Sequence, residues 1–307
     1  MSRRRPAVLA ALLAAGVAAS VLSACAPEGD DRPLVVVSTN ILGDVVDELV
    51  GDDVEVMTLM RPDADPHSFE ISARDAARLR TADLLVSNGL GLEEGLQQHL
   101  DAAVAGGVES FVAGESIEAL AYASGDAAGT PDPHFWTDPA RMVDVVEALA
   151  PQLSGLPGVD PADIDAHVDA YLAQLERLDD DMTTAFEAIP AERRALVTNH
   201  HVFGYLAERF GFRIVGAAIP GGTTLAAPSA SDLADLVSAI EEHAVPAVFA
   251  ESSSPDRLMR VLAEEADLRV EVIELYTESL TASGGGAEDY LTMMRENTQR
   301  IATGLSQ

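Results

Sequence analysis

Apolar positions along this chain follow two rhythms. Short runs rich in Val, Leu and Ile fall at 34–39 (LVVVST), 54–60 (VEVMTLM), 83–87 (DLLVS) and about 108–112 (VESFV). Between them lie stretches such as 43–50 and 72–82, where apolar residues recur at helical spacing. The runs predict strands and the stretches predict helices. The second half repeats the theme, with strand-like runs at 195–198, 213–219, 246–250 and 270–275. Such alternation predicts an α/β fold of two lobes, each with a four-stranded, mainly parallel sheet flanked by helices.

One segment between the two sets is longer. Over 160–188, Ile164, Val168, Tyr171, Leu172, Leu175 and Leu178 keep helical spacing. Asp160-Pro161 supplies a cap followed by proline in the first turn, and Pro190 bars continuation. At 1.5 Å per residue this helix is roughly 40 Å long, enough to join two lobes and leave a cleft between them. The expected organisation is an N-terminal lobe over 33–157, a rigid linking helix over 158–190 and a C-terminal lobe over 191–307. Open α/β sheets bind ligands beyond the carboxyl ends of their strands, so the cleft is where chemistry is expected.

The first residues follow a third pattern. Arg3, Arg4 and Arg5 precede an apolar run over 7–22, and Leu22-Ser23-Ala24-Cys25 follows. The run is short and ends in small residues, so 1–24 predicts a secretory signal rather than a spanning helix. Its last four residues resemble the bacterial lipobox. Cys25 is then the expected lipidation site, 25–32 a polar tether, and the chain is expected on the outer face of the cell membrane. Cys25 is the only cysteine, so no disulfide can form within the chain.

Composition adds less. Hydrophobic residues make up 48%, enough for a sizeable core. The chain carries 51 acidic residues against 19 basic ones, every basic residue being Arg, for a net charge of −32. A surface of that sign repels nucleic acid and anionic lipid and concentrates cations. Solvation accounts for most of this charge.

The histidines separate by context. His99 and His167 lie in helical segments, and His243 lies near a helix end before Pro246, where a positive charge suits the dipole. Of the adjacent His200 and His201, one is surplus. Asp65-Pro66-His67 and Asp132-Pro133-His134 are one tripeptide used twice, each followed closely by aromatic residues, Phe69 in one and Phe135-Trp136 in the other. Proline restricts the backbone before each imidazole and lowers the entropy cost of holding it. His67 follows the second strand, His200 the fifth and Glu278 the eighth. With His134 they form a candidate metal site of three imidazoles and one carboxylate. That set suits Zn²⁺; imidazole also suits Cu, Ni and Co, and more carboxylate would suit Mn²⁺. Ser252–Ser254 lacks a GxSxG frame, and Gly221-Gly222 and Gly284–Gly286 lack the Lys-Ser/Thr of a phosphate cradle. No HExxH motif is present, and no enzymatic activity is expected.

These segments resemble the zinc/manganese solute-binding lipoproteins of ABC uptake systems (the metal-binding cluster A-I type, zinc-binding branch), from about residue 33 to the C-terminus. Pro66-His67-Ser68-Phe69-Glu70 is similar to the family's first ligand loop and Asp132–Pro139 to the second. Thr198–Tyr205 is similar to the third and Tyr276–Leu280 to the fourth. The resemblance gives His200 the ligand role and puts His201 where the family usually has an acidic residue. Glu278 stands where the family usually has Asp. Glu251, His201 and Trp136 are implied to stand behind the ligands. The stretch 121–133 lacks the histidines that many zinc members carry before their second ligand loop.

What the resemblance implies is a monomeric extracytoplasmic binding protein that captures a divalent transition metal between its lobes. It would deliver that metal to an ABC permease and its ATPase subunit. Zn²⁺ is the expected cargo and Mn²⁺ the alternative. A metal-dependent surface adhesin and a zinc hydrolase are further alternatives; a hydrolase would hold water where Glu278 closes the site. Because imidazoles bind metal in the neutral form, capture is expected to weaken as pH falls through about 6.5.

Overall fold

The computed structural model describes residues 32–123, 127–219, 221–253, 256–266 and 270–306. The expected signal, Cys25 and all of the expected tether except Arg32 lie outside the described residues. The first sheet is built from β1 (Leu34–Val37), β2 (Glu55–Thr58), β3 (Leu84–Ser87) and β4 (Glu109–Val112). Its strands pair in the order β2-β1-β3-β4, all parallel. The central strands β1 (LVVV) and β3 (LLVS) are buried throughout, as parallel strands covered on both faces must be. Helices α1 (Asn40–Val50), α2 (Ala73–Leu79) and α3 (Gln97–Ala105) connect them, and α4 (Pro139–Ser154) and α5 (Pro161–Glu187) follow.

The second sheet uses β5 (Ala195–Thr198), β6 (Arg213–Ala217), β7 (Ala247–Glu251) and β8 (Glu271–Leu275), again all parallel, in the order β6-β5-β7-β8. Counted from its own first strand, this is the order of the first sheet. Helices α6 (Gly204–Phe210), α7 (Ala230–Glu242), α8 (Arg257–Glu265) and α9 (Tyr290–Ser306) complete the lobe. In each sheet the chain leaves the first strand to one side and returns on the other. This topological switch opens a crevice at the carboxyl ends of the strands.

The linking helix α5 is held along its length. Ile164, Val168, Tyr171, Leu175, Leu178, Met182 and Phe186 form its buried face. They share one core with Val35 and Val37 of β1, Val45 of α1, Leu149 of α4, Leu206 of α6 and Ile301 of α9. Each fully buried aliphatic side chain contributes about 1.5–3 kcal/mol, so neither lobe can swing free of this helix cheaply. Smaller apolar clusters fill the outer faces, one around Leu79, Leu85, Leu96 and Leu100 and one around Val197, Leu236, Val248 and Met259. Among the described residues no helix is long and apolar enough to cross a membrane.

A single local device recurs. The chain has four Asp-Pro dipeptides. In each, the Asp Oδ1 accepts from the N–H two residues on, at His67 (2.8 Å), His134 (3.0 Å), Ala140 (2.9 Å) and Ala162 (2.9 Å). Proline has no N–H, so the next amide is the first donor the carboxylate meets. Two of these turns start α4 and α5. The other two fix the backbone of His67 and His134.

Candidate metal centre

Loops at the carboxyl ends of both sheets bring three imidazoles and one carboxylate together in the interior. His67 lies beyond β2, His200 beyond β5 and Glu278 beyond β8, while His134 precedes the 3₁₀ turn Phe135–Thr137 that leads into α4. The four side chains are 0–1% exposed. Their ligand atoms all lie within 4.8 Å of one another. Glu278 Oε1 is 3.0 Å from His67 Nε2, 3.1 Å from His134 Nε2 and 3.0 Å from His200 Nε2. The Nε2 atoms of His67 and His134 are 3.4 Å apart. Two nitrogens on a tetrahedral Zn²⁺, with bonds of about 2.0–2.1 Å, stand roughly 3.3 Å apart. The spacing is compatible with donors gathered around one ion. Glu278 Oε2 is buried and lacks a hydrogen-bond partner, a costly condition that a cation relieves.

The charges of the cluster are mutually dependent. Burial pushes the Glu278 carboxyl up, but His200, His134 and His67 outweigh it and hold the group well below the usual carboxylate range. Burial likewise disfavours the imidazolium of His200, yet Glu278 and then Glu251 raise its pKa well above 6.5. His134 is also raised, burial being overcome by hydrogen bonds to Asp132 and Glu278. Glu251 is pushed up to about 7 by burial and by the charge of Glu278. Its Oε2 lies 3.6 Å from His200 Nδ1, too far for a hydrogen bond but close enough for charge attraction.

Residues distant in sequence hold the four side chains in place. Asp132 Oδ1 accepts from His134 Nδ1–H at 2.7 Å, which turns Nε2 toward the cluster. The Tyr122 hydroxyl lies 3.2 Å from the same Nδ1 and donates to the Gly222 carbonyl of the other lobe at 3.3 Å. Trp136 is 2% exposed; its indole N–H donates to the Thr277 carbonyl, 2.8 Å away, and anchors the loop that carries Glu278. Asn40 binds the same loop, accepting from Leu280 N–H at 3.0 Å and donating to the Ser279 hydroxyl at 2.8 Å. The loop of Glu278 belongs to the second lobe but is clamped to the first.

A family model described as ZnuA, zinc-uptake complex component A periplasmic, matches residues 35–304. The chain belongs to this family. It is similar to the zinc-binding protein TroA of Treponema pallidum, with 31% identity over 281 residues, which is 90% of each chain. It is also similar to the manganese ABC transporter substrate-binding lipoprotein PsaA of Streptococcus pneumoniae, with 27% identity over 281 residues and 90% of each chain. The solved structure of the periplasmic zinc-binding protein TroA superposes with a TM-score of 0.82 at 30% identity. That match covers 90% of this chain and all of that one.

Within this family fold, each residue expected at the site has a definite place. His67, His134, His200 and Glu278 meet. Glu251 and Trp136 pack behind them. His201 is half-buried, its ring 6.3 Å from that of Tyr122, and among the described residues its side chain makes no hydrogen bond to any of the four. Phe69 packs into the outer apolar cluster rather than against the imidazoles. Asp132, Asp65, Tyr122, Asn40 and Glu93 have supporting roles that sequence reasoning missed. Glu93 is buried, and it accepts from the Ser38 hydroxyl (2.7 Å) and from the N–H groups of Asn88 (2.7 Å) and Gly89 (3.1 Å). The repeated Asp-Pro-His tripeptide was the available signal for Asp65 and Asp132; the others carry no local signal.

Proposed function

We propose that this protein captures a divalent transition metal between its lobes, with Zn²⁺ the preferred cargo, and hands it to an ABC permease driven by an ATPase subunit. The observation that carries the reading is the convergence of three buried Nε2 atoms on Glu278 Oε1, with Oε2 left over, in a member of this family. His67 and His134 are the ligands from the first lobe, and His200 and Glu278 those from the second. Three imidazoles and one carboxylate favour Zn²⁺ over Mn²⁺, which takes more oxygen. The extra methylene of Glu278, where the family usually has Asp, is accommodated: its carboxylate reaches all three rings. Asp132 sets the tautomer of His134, and Glu251 neutralises charge on His200. Lipid on Cys25 would keep the protein at the outer membrane face, close to its permease.

The test is competitive titration of the metal-stripped protein with zinc and manganese at neutral pH. Tight one-to-one zinc binding with much weaker manganese binding is expected. A manganese preference, or tight binding of neither, would refute the assignment of cargo.

A further inference from the structure

The four side chains of the metal centre are 0–1% exposed, so an ion enters or leaves only when a covering segment moves. Around the centre the two lobes meet through contacts of two kinds. The first kind is buried on both sides. Trp136 and Asn40 clamp the Glu278 loop, the Tyr205 hydroxyl donates to the Asp132 carbonyl at 2.8 Å, and the Tyr290 hydroxyl donates to the Trp136 carbonyl at 2.7 Å. Pulling these groups apart would strand buried polar atoms and break the core that both lobes share with α5.

Contacts of the second kind come from one short segment. Gly221–Leu225 follows β6 in the second lobe and touches residues beside three of the four ligands. The Gly221 carbonyl accepts from the N–H of His201, next to His200, at 3.4 Å. The Gly222 carbonyl accepts from the Tyr122 hydroxyl at 3.3 Å, and that hydroxyl lies 3.2 Å from His134 Nδ1. The Thr224 hydroxyl donates to Asp65 Oδ2 at 2.6 Å, while Asp65 Oδ1 holds the His67 N–H.

This segment is lightly held. Thr223 and Thr224 are half-buried, and Leu225 is 57% exposed and belongs to no apolar cluster among the described residues. Its hydrogen bonds to the first lobe, among the described residues, are those to Tyr122 and Asp65. Few buried contacts and half-exposed hydrogen bonds are the marks of a segment that opens locally at low cost. Gly222 fits the closed arrangement, because a Cβ there would overlap the Tyr122 ring.

We propose that Gly221–Leu225 is the gate of the metal centre. It is latched by Thr224 on Asp65 and seated by Gly222 against Tyr122, and it lifts to pass the ion while the buried clamps keep the lobes together. The inference rests on the reading that the four side chains hold a transition-metal ion. An ion crosses a gate in both directions, so loosening the latch speeds capture and release alike. Loosening the ligands themselves would speed release alone.

Stopped-flow mixing tests this. Zinc-loaded full chain mixed with excess chromophoric chelator reads release, and metal-stripped chain mixed with zinc reads capture. Thr224→Val keeps the side-chain shape and loses the hydroxyl; both rates should rise about three- to tenfold, with affinity within about threefold of the parent. Thr224→Ser keeps the hydroxyl and should stay within about twofold of the parent in both rates. Gly222→Ala removes no hydrogen-bonding group but pushes the strap off Tyr122, and should also speed both. Parent-like rates in either Thr224→Val or Gly222→Ala overturn the proposal, as does Thr224→Ser as fast as Thr224→Val. Faster release with unchanged or slower capture overturns it too. A parent that binds manganese in place of zinc fails the reading of cargo alone, and the same rates are then read with manganese. A parent that binds neither ion overturns both readings.

Discussion

Replacing Asp132 by asparagine isolates one interaction behind the metal centre. Asp132 Oδ1 accepts two hydrogen bonds, from the His134 backbone N–H (3.0 Å) and from its Nδ1–H (2.7 Å). Asparagine has the same shape and can keep the first, so the turn at Asp132-Pro133-His134 survives. It loses the charge that strengthens the second. Charge-assisted hydrogen bonds contribute about 1.5–3 kcal/mol against about 0.5–1.5 for neutral ones, so the direct loss is about 1–1.5 kcal/mol. The amide can also turn its NH₂ toward Nδ1, which would put the proton on Nε2 and block coordination until the tautomer is reversed. Together these predict zinc affinity about 10- to 100-fold weaker, or about 1.4–2.8 kcal/mol. Competition against a chromophoric zinc chelator measures it, with circular dichroism as the check that the variant is folded. Zinc affinity within about twofold of the parent, in a folded variant, would show that Asp132 does not orient His134 for coordination.

Other outcomes follow from the same geometry. His67→Ala or His134→Ala each removes one of the four proposed ligands and should cut zinc affinity by more than about a hundredfold without unfolding the chain; parent-like affinity in the double variant would eliminate the site. The pH dependence should differ from the sequence expectation of a midpoint near 6.5. Glu278 helps hold protons on His134 and His200 above that value, so zinc must displace protons at neutral pH. Apparent affinity should still be rising above pH 7, with proton release detectable by calorimetry in buffers of different ionisation enthalpy. The same protons stabilise the metal-free fold at low pH, and that contribution fades as pH rises through the elevated imidazole values. The gap in melting temperature between zinc-loaded and metal-free protein should therefore widen with pH; a constant gap would contradict this. Asp44 works in the opposite sense to a salt-bridged carboxylate. Its folded value of about 7 lies above the ordinary 3.8, so stability is lost as pH rises from about 4 through 7. Asp44→Asn should be more stable above pH 7, by at most about 4 kcal/mol, and should match the parent near pH 4 in denaturant titrations.

Much of this architecture can be read from periodicity, because the signals are local. The linking helix was expected over 160–188 and runs Pro161–Glu187, since its cap, its proline and its apolar stripe all lie within its own residues. The eight strand-like runs all form strands, with bounds within two residues of those expected. The run 54–60 yields a strand only to Thr58, although Leu59 and Met60 still donate to Val37 and Ser38. The candidate ligands were legible for a related reason: Pro-His turns and strand ends mark them one at a time. What stayed hidden are partnerships across long chain separations. Asn40 meets Leu280 across 240 residues and Trp136 meets Thr277 across 141, and no local pattern in either segment encodes the other. Glu93 belongs with them: a glutamate in a polar segment reads as solvated, and only the fold buries it against the Ser38 hydroxyl. Tyr122 reads as an ordinary loop aromatic until the fold places Gly222 beside its ring. A Cβ on Gly222 would stand 2.4 Å from that ring, so glycine permits the approach.

The central claim is that His67, His134, His200 and Glu278 together hold one transition-metal ion. Anomalous diffraction at the zinc edge from zinc-loaded crystals addresses it most directly. The account predicts a single strong peak between the four side chains, about 2.0–2.1 Å from each Nε2 and about 2.0–2.2 Å from the Glu278 carboxylate. A peak elsewhere, or a peak there that lacks Glu278 or any one of the three imidazoles, would contradict it.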